Sequence, residues 1–408
     1  MADFYQHARL PTLHQLAVTE PHRQDAELIR WTDQNPIVLL LPALYAEFQR
    51  PALPIILEQI SLIPWIAEVV LSANGMQEEE HAHALKICRA KLRGKPLHLL
   101  WNDGPAMVQV HQELERSGSG VYEAGKGSNI WSGLAYLQAR GHKGIVISHD
   151  TDIMGYTADL PRKLAYPLAH PQMPYRFAKG YYSRVAGRLY GRVTRLLIFP
   201  LLRALSEVLG EKPLLQHLES YRYPLSGEFA ADMELLSQLR LPSGWGLEVA
   251  MLCECQRLLP IQHQCQVDMG FHYEHRHRPI TPRTTGDIQE AGLVVAAEEV
   301  ACCLFDHVFR EAEEKAASSL IRVVVERYRA CCLEWLDRYE HVALINGLEF
   351  DREDEMATVS HFEAALGRLV EAGDDFGERL ARHRSPPACA LSDGPVAREA
   401  LLQAVTVI

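Results

Sequence analysis

The chain has 408 residues, 48% hydrophobic and 23% charged, with a formal net charge of −11 at pH 7. That length supports a substantial core and two or three structural units, while the negative balance argues against a nucleic-acid partner bound through phosphate neutralisation. The longest early apolar run, Ile37–Leu44, is too short to cross a bilayer, and Met1–Leu16 lacks the basic start and apolar centre of a signal peptide, so a cytoplasmic chain with no membrane partner is expected.

In chain order, residues 1–35 are mixed and polar and read as an arm on the main body. Pro36–Leu41 reads as the first strand, Leu53–Leu62 as a helix closed by Pro64, and Glu68–Ser72 as a second strand ending in the turn Ala73-Asn74-Gly75. A helix over Glu78–Arg93 follows, then a strand at Leu97–Trp101 and a helix at Ala106–Arg116. Strand and helix alternate through residue 152, which implies a mostly parallel α/β sheet flanked by helices, with ligands bound beyond the carboxyl ends of its strands.

The next strand carries the chemistry. Ile145-Val146-Ile147-Ser148 runs directly into His149-Asp150-Thr151-Asp152, placing two carboxylates one residue apart at a strand's end. Such a pair suits a hard divalent cation that also bridges phosphate oxygens, and equally fits a solvated turn. Upstream, Gly118, Gly120, Gly125 and Gly127 surround Lys126 ahead of a helix at Asn129–Ala139. This lacks the spacing of a Walker loop, yet glycine amides, one lysine and a helix N-terminus together favour an anion; a plain surface loop is the alternative.

Beyond Asp152, the window Pro174–Arg195 holds Arg176, Lys179, Arg184, Arg188, Arg192 and Arg195 among four tyrosines, with no carboxylate, which points to an anionic ligand. Leu196–Leu209 is amphipathic. Tyr223–Glu228 and Gly244–Glu248 each read as a loop opening a helix, with Glu228 and Glu248 in the first turns. A strand over Gln264–His272 leads to His275-Arg276-His277-Arg278-Pro279, where the histidines are either metal ligands or surface residues. Helix formers dominate from Thr284, over Ile288–Phe309, Arg310–Tyr339 and Asp354–Ala372, with a weakly patterned tail after His383. The nine cysteines lack zinc-ribbon spacing and read as reduced thiols.

Five ordered blocks resemble the retaining GT-A glycosyltransferases that make glucosyl-3-phosphoglycerate or mannosyl-3-phosphoglycerate. They are Pro42-Ala43-Leu44, Gly125-Lys126-Gly127, Asp150-Thr151-Asp152, Gly191-Arg192-Val193-Thr194-Arg195, and Gly244–Glu248 followed by the histidine-rich loop. The resemblance implies a GT-A (Rossmann-like) fold with a helical C-terminal region, divided into an arm (1–35), a nucleotide-sugar-binding half (36–152), an acceptor half (153–283) and the helical region (284–408). It implies that Pro42, Ala43, Leu44, Tyr45 and Ala46, with Ser72 or Asn74, hold the nucleotide. Lys126 would lie near it, Asp150 and Thr151 would face the ribose and sugar, and Trp245, Gly246, Leu247 and Glu248 would hold the sugar hydroxyls. Asp152 and His275 would ligate Mg²⁺ or Mn²⁺, and Gly191, Arg192, Val193 and Thr194, with His277, would bind the acceptor. Asp150, Asp152 and Glu248 are then the catalytic set. The implied reaction is glucose transfer from UDP-glucose to 3-phosphoglycerate in a cytoplasmic homodimer. Tyr45, Asn74 and His277 depart from the family's usual residues, which keeps GDP-mannose as donor, free glycerate as acceptor, and a silent sugar-nucleotide-binding protein as alternatives.

Overall fold

The computed structural model describes residues 6, 9–16, 20–116, 123–270, 286–310, 314–371 and 395–408. Its elements begin with β1 (Thr12–Leu13), α1 (Pro21–Trp31), β2 (Ile37–Leu44), α2 (Tyr45–Phe48), α3 (Ala52–Ser61), β3 (Ile66–Asn74), α4 (Glu78–Lys91), β4 (Leu97–Trp101) and α5 (Pro105–Arg116). The central stretch contains α6 (Lys126–Ala139), β5 (Ile145–Ser148), α7 (Asp159–Ala169), β6 (Phe177–Tyr181), a π-helical turn at Val193–Ile198, α8 (Phe199–Leu209) and α9 (Pro213–Glu219). Then follow β7 (Phe229–Asp232), α10 (Met233–Leu236), α11 (Leu247–Leu258) and β8 (Gln264–Asp268). The C-terminal part is α12 (Gly286–Phe309), α13 (Glu314–Ile345), α14 (Arg352–Glu371), α15 (Pro395–Gln403) and β9 (Val405–Val407).

Among the described residues the strands form one sheet in the order β1-β8-β6-β7-β5-β2-β3-β4-β9. Pairing is parallel except where β7 lies between β5 and β6 and where β9 meets β4. The expected mostly parallel sheet with flanking helices is therefore present. Alternation along β2 sends Val38 and Leu40 to one core and Leu39 and Leu41 to the other, which is why its run is apolar throughout. The second core is roofed by α3, α4 and α7 through Ile56, Leu57, Ala84, Cys88 and Leu164. The first is roofed by α6, α8 and α11 to α14 through Leu134, Leu201, Leu252, Leu304, Tyr328 and Phe362. Local signals agree with this: Gln77 and Glu80 form a reciprocal capping box on α4, with Glu78 and Glu79 in its first turn and Arg89 and Lys91 in its last.

Several expectations change. Part of the presumed arm is built into the fold, since β1 pairs with β8 and α1 packs on α7. Glu228 opens no helix; it precedes β7, where the alternation of Phe229 and Ala231 against Ala230 serves both cores. The third C-terminal segment starts at Arg352, and the long helix before it runs to Ile345 rather than Tyr339. The weakly patterned end forms α15 and then β9, antiparallel to β4. His275 and His277 lie outside the described residues.

Candidate active site at the carboxyl edge of the sheet

β2 lies between β5 and β3 and is parallel to both, so the carboxyl ends of the three strands open on one edge. Pro42, Ala43 and Leu44 are the last residues of β2, and Tyr45 and Ala46 begin α2 without an intervening loop. Leu44 is exposed and Tyr45 half-buried, its hydroxyl 3.0 Å from His83 Nδ1. The Thr151 hydroxyl donates to the Pro42 carbonyl at 3.2 Å, tying the end of β5 to the end of β2.

Ser72 and Asn74 face inward and are buried. Asn129, in the first turn of α6, donates through Nδ2 to the Ala43 carbonyl at 2.9 Å and to Asn74 Oδ1 at 3.0 Å. Asn102 Nδ2 donates to Asn129 Oδ1 at 2.7 Å and to the Ser72 hydroxyl at 3.0 Å. This amide network joins the ends of β2, β3 and β4 to α6, a use of Ser72 and Asn74 that the sequence did not reveal.

Lys126 opens α6 and bridges two acids. Its Nζ lies 2.6 Å from Asp150 Oδ1 and 2.9 Å from Glu248 Oε1. Burial works against the ammonium, but the Asp150 and Glu248 carboxylates outweigh it and hold the pKa well above the ordinary lysine value. The position depends on close backbone packing: a Cβ at Gly127 would collide with the Pro242 carbonyl, while Ser128 N–H donates to the Ser243 carbonyl at 3.2 Å. Glu248 sits buried in the first turn of α11, where its charge suits the helix N-terminus. The turn before it is pinned by the Glu299 carboxylate, which accepts from Trp245 N–H at 2.6 Å and leaves the Trp245 ring exposed. Gly246 and Leu247 are buried beneath. From the other side Gly227 backs Asp150 so closely that a Cβ there would lie 2.5 Å from both carboxylate oxygens.

Lys179 belongs to the same charged cluster, although its sequence position marked it only as one of six basic residues. It is fully buried on β6, donating to the Ser226 carbonyl at 2.5 Å. Burial pulls its pKa down to about 8, with Glu248 acting upward and Lys126 downward. A lysine between Ala178 and Gly180 in a strand carries a burial signal that its basic neighbours obscured.

Asp152 follows at the same edge, partly exposed, one residue beyond Thr151. Asp150, Asp152 and Glu248 outnumber Lys126 and Lys179, and the carboxylate oxygens are hard donors, which fits a divalent cation whose remaining ligands come from phosphate. Among the described residues no group of three or more His, Cys, Asp or Glu assembles as a metal cage.

The basic block meets different partners. Arg192 Nε donates to Glu355 Oε1 at 3.2 Å and Nη1 to Thr358 Oγ1 at 3.1 Å, and Nη2 is paired with Asp354. Arg195 clasps the same Glu355 at 2.9 and 3.1 Å. Gly191 and Val193 flank this block half-buried, and Thr194 is buried. The acids come from the N-terminal turn of α14, so the helical C-terminal region reaches residues 191–195.

No family model matches the chain. The glucosyl-3-phosphoglycerate synthase of Persephonella marina is 36% identical over 366 residues, covering 90% of this chain and 89% of that protein. The chain belongs to the glucosyl-3-phosphoglycerate synthase family. A second family member, from Methanococcoides burtonii, is 29% identical over 414 residues, 98% of this chain and 97% of its own length. Glucosyl-3-phosphoglycerate synthase from Mycobacterium tuberculosis, solved in complex with Mn²⁺, UDP-glucose and phosphoglyceric acid, superposes with a TM-score of 0.51 at 23% identity, over 74% of this chain and 88% of that one, and so shares its GT-A fold. Membership of the glucosyl-3-phosphoglycerate synthase family makes this chain a glycosyltransferase. No helix among the described residues is long and apolar enough to cross a membrane.

Proposed function

We propose that this chain transfers glucose from UDP-glucose to 3-phosphoglycerate with retention at the anomeric carbon, using Mg²⁺ or Mn²⁺. The observation that carries the reading is the Asp150–Lys126–Glu248 ion-paired cluster beside Asp152 at the carboxyl edge of the sheet, in a member of this family. The nucleotide lies over the ends of β2 and β3, touching Tyr45 and the backbone of the Pro42–Ala46 stretch. Asp150, Trp245, Gly246, Leu247 and Glu248 hold the sugar, Asp152 and His275 hold the cation, and residues 191–194 with His277 lie on the acceptor side. When bound, the cation offsets the charge that develops on the departing diphosphate.

Lys126 fixes Asp150 and Glu248 relative to each other, so that both carboxylates address one sugar face without repelling one another. Glu248 is already ion-paired and is therefore suited to accept sugar hydroxyl protons in hydrogen bonds rather than to act as a nucleophile. With no other carboxylate assigned that role, the acceptor hydroxyl attacks from the face that the diphosphate leaves, and its proton passes to the leaving phosphate. The enzyme is cytoplasmic in this reading, in keeping with described cysteines that are all free and buried, and the long C-terminal helices provide a homodimer contact.

The test pairs UDP-glucose and GDP-mannose with 3-phosphoglycerate and glycerate, with and without chelator, and identifies products by mass. Glucosyl-3-phosphoglycerate forms only with UDP-glucose and metal, and Asp152→Ala abolishes it. A mannosyl product, activity confined to glycerate, or full activity in Asp152→Ala overturns the reading.

A further inference from the structure

If the acceptor carries anionic groups, a cation must meet them, and Arg192 is already held by Asp354, Glu355 and Thr358. Arg195 is likewise taken, by Glu355 and by the Tyr190 and Leu189 carbonyls. Of the same basic window, Arg176 is paired with Asp232 and Glu234 at the opposite edge of the sheet, where β6 begins and β7 ends. Arg188 stacks over the Tyr190 ring at 5.1 Å, on the small loop closed by the Val185–Leu189 bridge.

Arg184 differs from these. β6 runs antiparallel to β7, and β7 antiparallel to β5, so β6 points the same way as β5 and the chain leaving it emerges on the edge where Asp152 stands. Arg184 lies three residues past the end of β6 and is held there by its own carbonyl, which accepts from Tyr190 N–H at 2.9 Å. Its neighbours are Tyr182 and Tyr223, whose rings meet edge to face at 4.9 Å, and the Asp152 carboxylate. Burial works against its charge, and the two tyrosines and Asp152 more than compensate. Yet its Nε–H, although buried, has no acceptor among the described residues. A buried guanidinium N–H without an acceptor costs free energy unless a ligand supplies one. An oxyanion is the matching chemistry, since a planar guanidinium offers parallel donors to carboxylate or phosphate.

We propose that Arg184 binds an anionic group of the acceptor, either its carboxylate or its phosphate, and sets the enzyme's preference for charged acceptors, while Arg192 ties the acceptor loop to the C-terminal helices. This rests on the glucosyl-transfer reading above. It differs from the expectation that Gly191, Arg192, Val193 and Thr194, with His277, meet the acceptor, a set in which Arg192 is the only guanidinium.

The experiment measures steady-state kinetics of the full-length enzyme with Mn²⁺ and UDP-glucose, for wild type, Arg184→Met and Arg184→Lys, with 3-phosphoglycerate, glycerate and glycerol 3-phosphate as acceptors. Arg184→Met raises KM for 3-phosphoglycerate about tenfold or more, the loss of one charge-assisted contact pair, and leaves KM for UDP-glucose unchanged. Arg184→Lys recovers part of the loss. The effect disappears with whichever acceptor lacks the group that Arg184 contacts, glycerate identifying the phosphate and glycerol 3-phosphate the carboxylate. An unchanged KM, an equal loss on all three acceptors, or a loss expressed in KM for UDP-glucose overturns the assignment. Failure of the wild type to glucosylate 3-phosphoglycerate instead removes the functional reading on which it stands.

Discussion

Replacing Lys126 with methionine keeps the bulk of the side chain and removes the one ammonium that Asp150 and Glu248 share. At an effective dielectric of about 20, unit charges separated by 2.6 and 2.9 Å attract by roughly 6 kcal/mol each before any desolvation is charged against them. Removing one partner of a buried pair typically costs 3–5 kcal/mol, because the other charge stays behind. All three side chains keep some solvent contact, Lys126 being 28% exposed and Glu248 10%, so about 3 kcal/mol is expected. At about 2.1 cal/mol/K of unfolding entropy per residue over 408 residues, that lowers Tm by about 3 °C. The Lys126 contribution is constant across neutral pH: a folded pKa raised above the unfolded value keeps it fully present below the unfolded lysine pKa, and it is lost only as pH rises through the folded one. Thermal melts of wild type, Lys126→Met, Glu248→Gln and the double variant at neutral pH measure the coupling. The double variant should be more stable than the sum of the singles, and UDP-glucose turnover should fall at least a hundredfold in Lys126→Met. Additive melts with unchanged turnover would show that the ammonium neither links the two carboxylates nor serves the donor.

Gly127→Ala should destabilise by about 1–3 kcal/mol or more, the cost of forcing a methyl group into packed backbone, since its Cβ falls on the Pro242 carbonyl; denaturant titration reads this, and a wild-type midpoint refutes it. Lys179→Met should change how stability depends on pH. With a folded pKa near 8 against an ordinary value of 10.5, the folded wild type bears the full cost of a buried ammonium below pH 8. That cost is relieved between pH 8 and 10.5, as the folded state releases a proton that the unfolded chain retains, so stability rises with pH across that window by about 3 kcal/mol. The variant should lack this rise in denaturant midpoints measured from pH 7.5 to 10, and an identical rise in both proteins would place the titration elsewhere.

Strands β2 to β5 were legible because burial on both faces demands unbroken apolar runs, as in residues 37–41, and because turn residues such as Asn74 and Gly75 close them. β6 and β7 were obscured for the opposite reason. Lys179 breaks the apolar pattern of one, and the other, Phe229–Asp232, spans only four residues between polar loops, so neither period stands out. The Asp150–Asp152 edge was readable from its strand, but the partners that tune it were not. Glu248 reaches Lys126 from 122 positions away, and Asp354 and Glu355 reach Arg192 from more than 160. No local spacing encodes pairings of that range. The capture of Arg192 changes the chemical meaning of a basic block that looked, by composition, like an open anion site.

The amide relay through Asn129 has a further consequence. One side chain accepts from Asn102 while donating to Asn74 and to the Ala43 backbone, so three strand ends and the start of a helix share a single hinge pin. Loops anchored in this way shift together or not at all. Attempts to re-engineer nucleotide preference should therefore leave Ser72, Asn74 and Asn102 intact and act on the outer rim at Tyr45 and His83, where, in the proposed donor pose, a new side chain would meet the nucleotide without loosening the frame behind it.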